Sequence, residues 1–261
     1  ISVRNDDGVA YLEAMSPVDC IFLDPARRNE HGGKTVAISD CEPNVAELEG
    51  LLLSKANRIM IKLSPMLDLS QALKELPHTQ EVHIISVNNE CKELLLLLGQ
   101  TAPEEIPVHC VNLSTKGEQE KQLFVFTREQ EQHSECSYTD TLGNYLYEPN
   151  ASLLKAGAFR SIAATYSVKK LHPNSHLYTS ETQIEGFPGR TFRIINRCSL
   201  NKKEIKENLS DLKKANITVR NFPATVAELR KRIKLAEGGD TYLFASTLND
   251  GQKILIRCGK V

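Results

Sequence analysis

The sequence predicts an α/β protein in which a parallel sheet occupies the first half and smaller α+β units follow. Two observations carry that prediction. Residues 21–28, Ile-Phe-Leu-Asp-Pro-Ala-Arg-Arg, form an apolar run that ends abruptly in an acid, a proline and two cations. A buried parallel strand reads this way where it reaches the carboxyl edge of its sheet, the edge at which such sheets bind ligands. The pattern then recurs: Asn57 to Lys62 ends in Lys62-Leu63-Ser64-Pro65, and Glu81 to Val87 ends in Asn88-Asn89-Glu90.

Between the first two strands, Pro43 lies near the start of a stretch with Val45, Leu48 and Leu52 at core-facing helical spacing, so the unit reads βαβ. After the third strand the leucine run Leu94 to Leu98 predicts a buried helix. Residues 107–113 and 121–127 are apolar runs around the polar turn Ser114 to Glu120, which predicts an antiparallel hairpin. Arg128 to Asp140 is polar and acidic and reads as a linker. Next comes a helix capped by Asn150, with Leu154, Ala158, Ile162 and Tyr166 recurring every four residues, then short strands near His176 to Thr179 and Thr191 to Ile195.

The last segment predicts the order β-α-β-α-β-β. Asn201 with Glu204 resembles a capping box before a helix striped by Ile205, Leu209 and Leu212. Ile217 to Arg220 is a strand. Pro223 opens a second helix with Val226, Leu229 and Ile233 inward, and Gly238-Gly239 closes it. Tyr242 to Ala245 and Ile254 to Ile256 make a hairpin around Asn249-Asp250-Gly251. The expected divisions are 1–142, 143–190 and 191–261, the middle one being too small to hold a large core alone.

At 261 residues, with 41% hydrophobic and 25% charged residues, the chain is long enough for more than one core, and it contains no apolar run that could span a membrane. Seven scattered cysteines argue against a disulfide framework and predict reduced, mostly buried thiols in a cytoplasmic protein. The net charge of −1 hides a division: residues 191–261 hold 15 Lys+Arg against 7 Asp+Glu, a net of +8, and the remainder carries −9. A basic module beside an acidic one points to contact with a polyanion. On the second helix of that module Arg230, Lys231 and Lys234 are expected to project away from the apolar stripe, toward phosphates. No metal site is expected, because His172 and His176 are separated by Pro173, which disfavours a helical ligand pair.

The strand-end cluster supplies the candidate chemistry. Asp24 can accept hydrogen bonds, Pro25 leaves neighbouring carbonyls free to accept bonds from an amine, and Arg27 and Arg28 suit a phosphate or carboxylate. Lys62, Ser64, Asn88, Asn89 and Glu90, at the ends of the other two strands, complete the expected substrate-binding set.

Asp24-Pro25-Ala26-Arg27-Arg28 after an apolar strand resembles the fourth motif of class I S-adenosylmethionine-dependent methyltransferases, in the bacterial group with a ferredoxin-like middle segment and a THUMP-like C-terminal domain. Tyr147-Glu148-Pro149-Asn150, Lys155-Ala156-Gly157-Ala158-Phe159 and Phe187-Pro188-Gly189-Arg190 resemble the middle segment of that group. Arg220-Asn221-Phe222-Pro223 and Leu229-Arg230-Lys231 resemble its tail. The resemblance implies S-adenosylmethionine as cofactor and RNA, tRNA or rRNA, as partner. It implies that Asp24 and the Pro25 and Ala26 carbonyls orient an amino nitrogen for methylation. Ile1 to Gly8 is similar to the later strand and turn whose acid contacts the adenine, which would make Asp6 and Asp7 cofactor residues.

The sequence also departs from that family. It contains no strand followed by a glycine-rich loop, which predicts a chain entered in mid-domain that binds the cofactor weakly by itself. The motif lacks an aromatic to stack a flipped base, and Lys62-Leu63-Ser64-Pro65 offers no cysteine for covalent pyrimidine chemistry. A non-catalytic nucleic-acid-binding protein with a degenerate methyltransferase fold is the alternative, and a small-molecule methyltransferase with a regulatory tail a third reading.

Overall fold

The computed structural model describes residues 1–27, 37–115 and 121–261, with Arg27 described by its backbone alone; Arg28 lies outside the described residues. The chain forms two compact units, Ile1–Gln130 with Ala151–Gly157, and Glu131–Asn150 with Ala158–Val261.

In chain order the first unit contains α1 (Gly8–Ala14), β1 (Val18–Leu23), β2 (Ala26–Arg27), β3 (Cys41–Glu42), α2 (Val45–Lys55), β4 (Ala56–Leu63), α3 (Leu69–Glu75), β5 (Thr79–Val87), β6 (Glu90–Gly99), β7 (Pro107–Leu113) and β8 (Lys121–Thr127). Helix α4 (Arg128–His133) follows, then β9 (Tyr145–Pro149) of the second unit and α5 (Ala151–Ala156), which returns to the first. Six strands form one mixed sheet in the order β1-β4-β6-β5-β7-β8. β1 is parallel to β4 and β5 to β7, while β6 is antiparallel to both β4 and β5. β1, β4 and β5 therefore all end at one edge, as their polar terminations predicted, and β7 ends there as well. The expected βαβ unit is β1-α2-β4. Asn44 caps α2 by accepting the Ala46 N–H, and Val45 and Leu52 are fully buried along its inner face.

One element differs in kind. Leu94 to Leu98 is not a helix but the centre of β6. Leu94, Leu96 and Leu98 are fully buried on one face, while Leu95 and Leu97 are half-buried on the other. A strand covered on both faces reads as an unbroken apolar run, so its period cannot separate it from a helix. What decides is the turn before it. Asn88 and Asn89 have φ of 50° and 65°, and Val87 pairs with Glu90 across them, which makes a two-residue hairpin that folds the chain back onto β5.

Two further elements differ from expectation. Ile1 to Gly8 contains no strand: Asp7 is the N-cap of α1, its Oδ1 accepting from Val9 N and Ala10 N at 2.9 Å each. The helix expected from Asn150 to Tyr166 is broken at Gly157, whose φ of 77° is left-handed. Its first half, α5, packs on β5, β6 and β7. Its second half, α6 (Phe159–Tyr166), starts anew in the second unit. There Glu131 accepts the N–H groups of Phe159, Arg160 and Ser161 at 3.0, 2.8 and 2.8 Å, satisfying donors that a helix start leaves open.

The second unit continues with β10 (Lys169–Lys170), β11 (Tyr178–Ser180), β12 (Gly189–Cys198), α7 (Lys202–Leu209), β13 (Asn216–Arg220), α8 (Val226–Ile233), β14 (Thr241–Thr247) and β15 (Lys253–Lys260). Its seven strands make one continuous sheet, β10-β11-β9-β12-β15-β14-β13, in which only β13 and β14 pair in parallel. The core lies on both faces. Leu146, Leu177, Phe192, Phe244 and Ile256 pack on one, and Leu209, Leu229, Leu243, Ala245 and Leu255 pack on the other, beneath α7 and α8. The segment before β12 thus shares its core with the strands after it. Helix α8 is closed by Lys234, left-handed at φ 62°, and not by Gly238-Gly239.

Candidate active site at the carboxyl edge of the first sheet

β1 and β4 run parallel with Leu23 beside Ile61, so the next residues, Asp24 and Lys62, emerge side by side. Lys62 Nζ lies 2.5 Å from Asp24 Oδ2 and 4.0 Å from Glu93 Oε2. The hydrogen bond to Asp24 and the charge of Glu93 hold the Lys62 ammonium above the usual lysine range. All three side chains are partly exposed, so the cluster adds little to stability and its effect is to fix orientation.

A polar cleft of about 240 Å³ opens at this edge, lined by Asp24, Pro25, Cys41, Lys62, Ser64, Lys92 and Glu93 with Leu63 and Pro65. Ala26 follows directly and pairs with Glu42 in the short β2–β3 ladder, which carries the backbone of Arg27 as well. Ser64 accepts the Met66 N–H at 3.2 Å and so also shapes the turn out of β4.

The third strand end does not join the cleft. Asn88 Oδ1 accepts the Thr115 N–H at 3.0 Å and Asn88 Nδ2 donates to Thr115 Oγ1 at 2.9 Å. Asn89 Oδ1 accepts the Ala151 N–H at 2.8 Å. Both asparagines hold the hairpin against β7 and α5, and Glu90 pairs with Lys92 at 2.7 Å. The residues that reasoning from sequence missed are Cys41, Lys92 and Glu93. Reading β6 as a helix hid the last two. Asp6 lines a second depression of about 250 Å³ with Ser2, Arg4, Gly8 and Tyr11. Asp7 is engaged as the helix cap.

In the second unit Lys231 and Lys234 are exposed as expected, but Arg230 is not presented to solvent in the same way. Its Nη1 donates to the Ala215 carbonyl at 3.2 Å, and its side chain is 20% exposed. A group not foreseen is the ion cluster at Glu148, which is 2% exposed. Arg220 donates to its Oε1 through Nε at 3.2 Å and Nη2 at 2.9 Å, and Arg190 donates to its Oε2 through Nε at 2.9 Å and through Nη2. Three separate motifs of the sequence thus meet at one carboxylate. His172 and His176 form no ligand pair: His172 Nδ1 lies 3.0 Å from Asn221 Nδ2, and the His176 ring stacks on Phe159 at 3.6 Å.

Over 93% of its length the chain is similar to a protein of known crystal structure from Porphyromonas gingivalis W83, described as a "putative methyltransferase", with 41% identity and a TM-score of 0.83. It spans 60% of that chain. No curated protein matches it. Residues 145–188 match a family described as a ferredoxin-like domain, and residues 189–260 one described as THUMP domain-like. The chain therefore carries a ferredoxin-like domain followed in sequence by a THUMP-like domain, after a segment that forms a mixed α/β sheet, and it shares its fold with that Porphyromonas gingivalis protein.

Proposed function

We propose that this protein takes part in S-adenosylmethionine-dependent methyl transfer to an amino nitrogen of RNA. The observation that carries the reading is the pairing of Asp24 with Lys62 at the ends of two adjacent parallel strands, where α/β sheets bind their ligands. Methyl transfer from a sulfonium needs the nucleophile held in line with the methyl group, so positioning contributes more than acid–base chemistry. Lys62 fixes the Asp24 carboxylate, whose remaining lone pairs accept N–H groups of an incoming amine. The Pro25 and Ala26 carbonyls are the further acceptors on the same turn. The cofactor supplies the methyl group when bound. Asp6, facing its depression beside Arg4 and Tyr11, fits an acceptor for an adenine amino group, whereas Asp7 is already engaged by two backbone N–H groups.

RNA as the partner rests on the THUMP-like domain and on the net charge of +8 over residues 191–261. The division into 1–142, 143–190 and 191–261 assigns the transfer edge to the first part and RNA contact to the last. The test is transfer of labelled methyl from S-adenosylmethionine to bulk tRNA and rRNA by the protein at its natural length, with and without Asp24→Asn. The expected result is RNA labelling that falls about a hundredfold in the variant with an unchanged melting curve. Undiminished labelling by Asp24→Asn removes Asp24 from the site, and the absence of labelling by the wild type favours the non-catalytic RNA-binding reading.

A further inference from the structure

On the sheet of the first unit, β5 and β7 run parallel with His83 directly beside His109, and Glu81 lies two residues before His83. Alternation along a strand places all three on one face. That face is opposite the one bearing Val82, Ile84, Val108 and Cys110, which are fully buried. The imidazole rings stack at 4.4 Å with an interplanar angle of 9°. Glu81 Oε2 lies 3.2 Å from His83 Nε2 and 3.9 Å from His109 Nε2, and the three donor atoms all fall within 4.8 Å of one another. His109 Nε2 is sealed from solvent and makes no hydrogen bond, an arrangement that costs free energy unless something binds there.

We propose that Glu81, His83 and His109 form a binding site for a divalent transition-metal ion of the zinc class. Two ligands each about 2.0–2.1 Å from a tetrahedral ion lie roughly 3.3 Å apart. The His83–Glu81 distance meets that already, and side-chain rotation closes the other two, Glu81–His109 at 3.9 Å and His83–His109. Imidazole nitrogens select zinc, nickel or copper over magnesium and calcium, which take oxygen ligands. Ligation requires neutral rings. Glu81 is 45% exposed, which leaves the remaining coordination positions open to water or to an exogenous ligand. Bound metal would clip β5 to β7, the strands that extend the sheet beyond β6.

The test is calorimetric titration of Zn²⁺ into metal-free protein, full chain, together with absorption spectra of its Co²⁺ form. The expected result is one ion per chain bound at micromolar concentration or tighter. Co²⁺ bands should be those of nitrogen and oxygen ligands. In His83→Gln/His109→Gln the affinity should fall at least about tenfold, since even outer-shell changes reach that size. Glu81→Gln, a partly exposed substitution, serves as the second variant and should weaken binding while the fold stays intact by circular dichroism. Unchanged Zn²⁺ affinity in these variants overturns the proposal. So does the near-ultraviolet charge-transfer band of cobalt thiolate, which would place the metal on a cysteine such as exposed Cys20. No binding at micromolar Zn²⁺ overturns it as well.

Discussion

Replacing Glu148 by Gln tests whether the second unit depends on the ion cluster that joins β9, β12 and the end of β13. The carboxylate is 2% exposed and accepts four hydrogen bonds from two guanidinium groups. Removing one partner of a buried ion pair costs roughly 3–5 kcal/mol, because the charges left behind lose their compensation. Here Arg190 and Arg220 are 40% and 33% exposed, so water recovers part of their solvation, and Gln keeps one acceptor oxygen. The expected loss is therefore at the lower end, about 3 kcal/mol. With a urea slope of about 2 kcal/mol/M, the unfolding midpoint falls by about 1.5 M. The chain has no tryptophan, and six of its seven tyrosines lie in the second unit, so tyrosine fluorescence reports that unit. The triple variant Glu148→Leu/Arg190→Met/Arg220→Leu removes the charges together and should recover most of the lost stability. A midpoint shift under about 0.5 M in Glu148→Gln would refute the reasoning, as would a triple variant no more stable than the single one.

Three further outcomes are expected. His176 is pushed down from 6.5 to about 4 by burial, with Lys170 and Arg220 adding repulsion. Above pH 6.5 the ring is neutral in both the folded and unfolded states, whereas between 6.5 and 4 only the unfolded chain takes up the proton, so stability falls as the pH is lowered through that window. The shift corresponds to about 3.4 kcal/mol, which solvent screening of a partly exposed residue reduces to roughly 2 kcal/mol. His176→Asn tolerates the left-handed φ of 52° and should flatten the fall, as read from urea midpoints at several pH values; an unchanged slope would show that other groups cause it. For RNA, Lys231→Ala/Lys234→Ala should reduce the log–log salt slope of binding by about two, alike for unrelated sequences. Arg230→Ala should instead lower stability, because its guanidinium supports the Ala215 carbonyl; an RNA slope that responds to Arg230 alone would reverse that assignment.

The strand ends were legible because a buried parallel strand must stop being apolar where it meets solvent, and Leu23-Asp24-Pro25 and Leu63-Ser64-Pro65 mark that change directly. The βαβ unit, the β7–β8 hairpin and the order of the last six elements were legible for the same reason, each being written in local period and punctuation. β6 was not. Five leucines in a row carry no period, and the deciding signal was the Asn88-Asn89 turn, whose left-handed pair reverses the chain. The Glu148 cluster was visible as three motifs but not as one object. Its partners are 42 and 72 residues apart, and contacts at that range leave no local signature.

The misread strand also changes what the cleft can bind. β6 enters the sheet between β4 and β5 and brings Lys92 and Glu93 to the edge where Asp24 and Lys62 already stand. Among the described side chains the cleft then holds two acids and two lysines, with Lys92 additionally paired to Glu90. A balanced site of this kind does not attract a phosphate by net charge. It does suit a neutral amine, whose N–H groups meet carboxylate acceptors and whose lone pair stays available for transfer. On the proposed reading, the attraction for the RNA backbone comes instead from the basic 191–261 segment, where Lys231 and Lys234 remain exposed. Substitutions at Asp24 should then lower turnover with little change in RNA affinity, and substitutions at Lys231 and Lys234 should do the reverse. Parallel measurement of binding and transfer distinguishes that separation from a single composite site, in which either change would lower both.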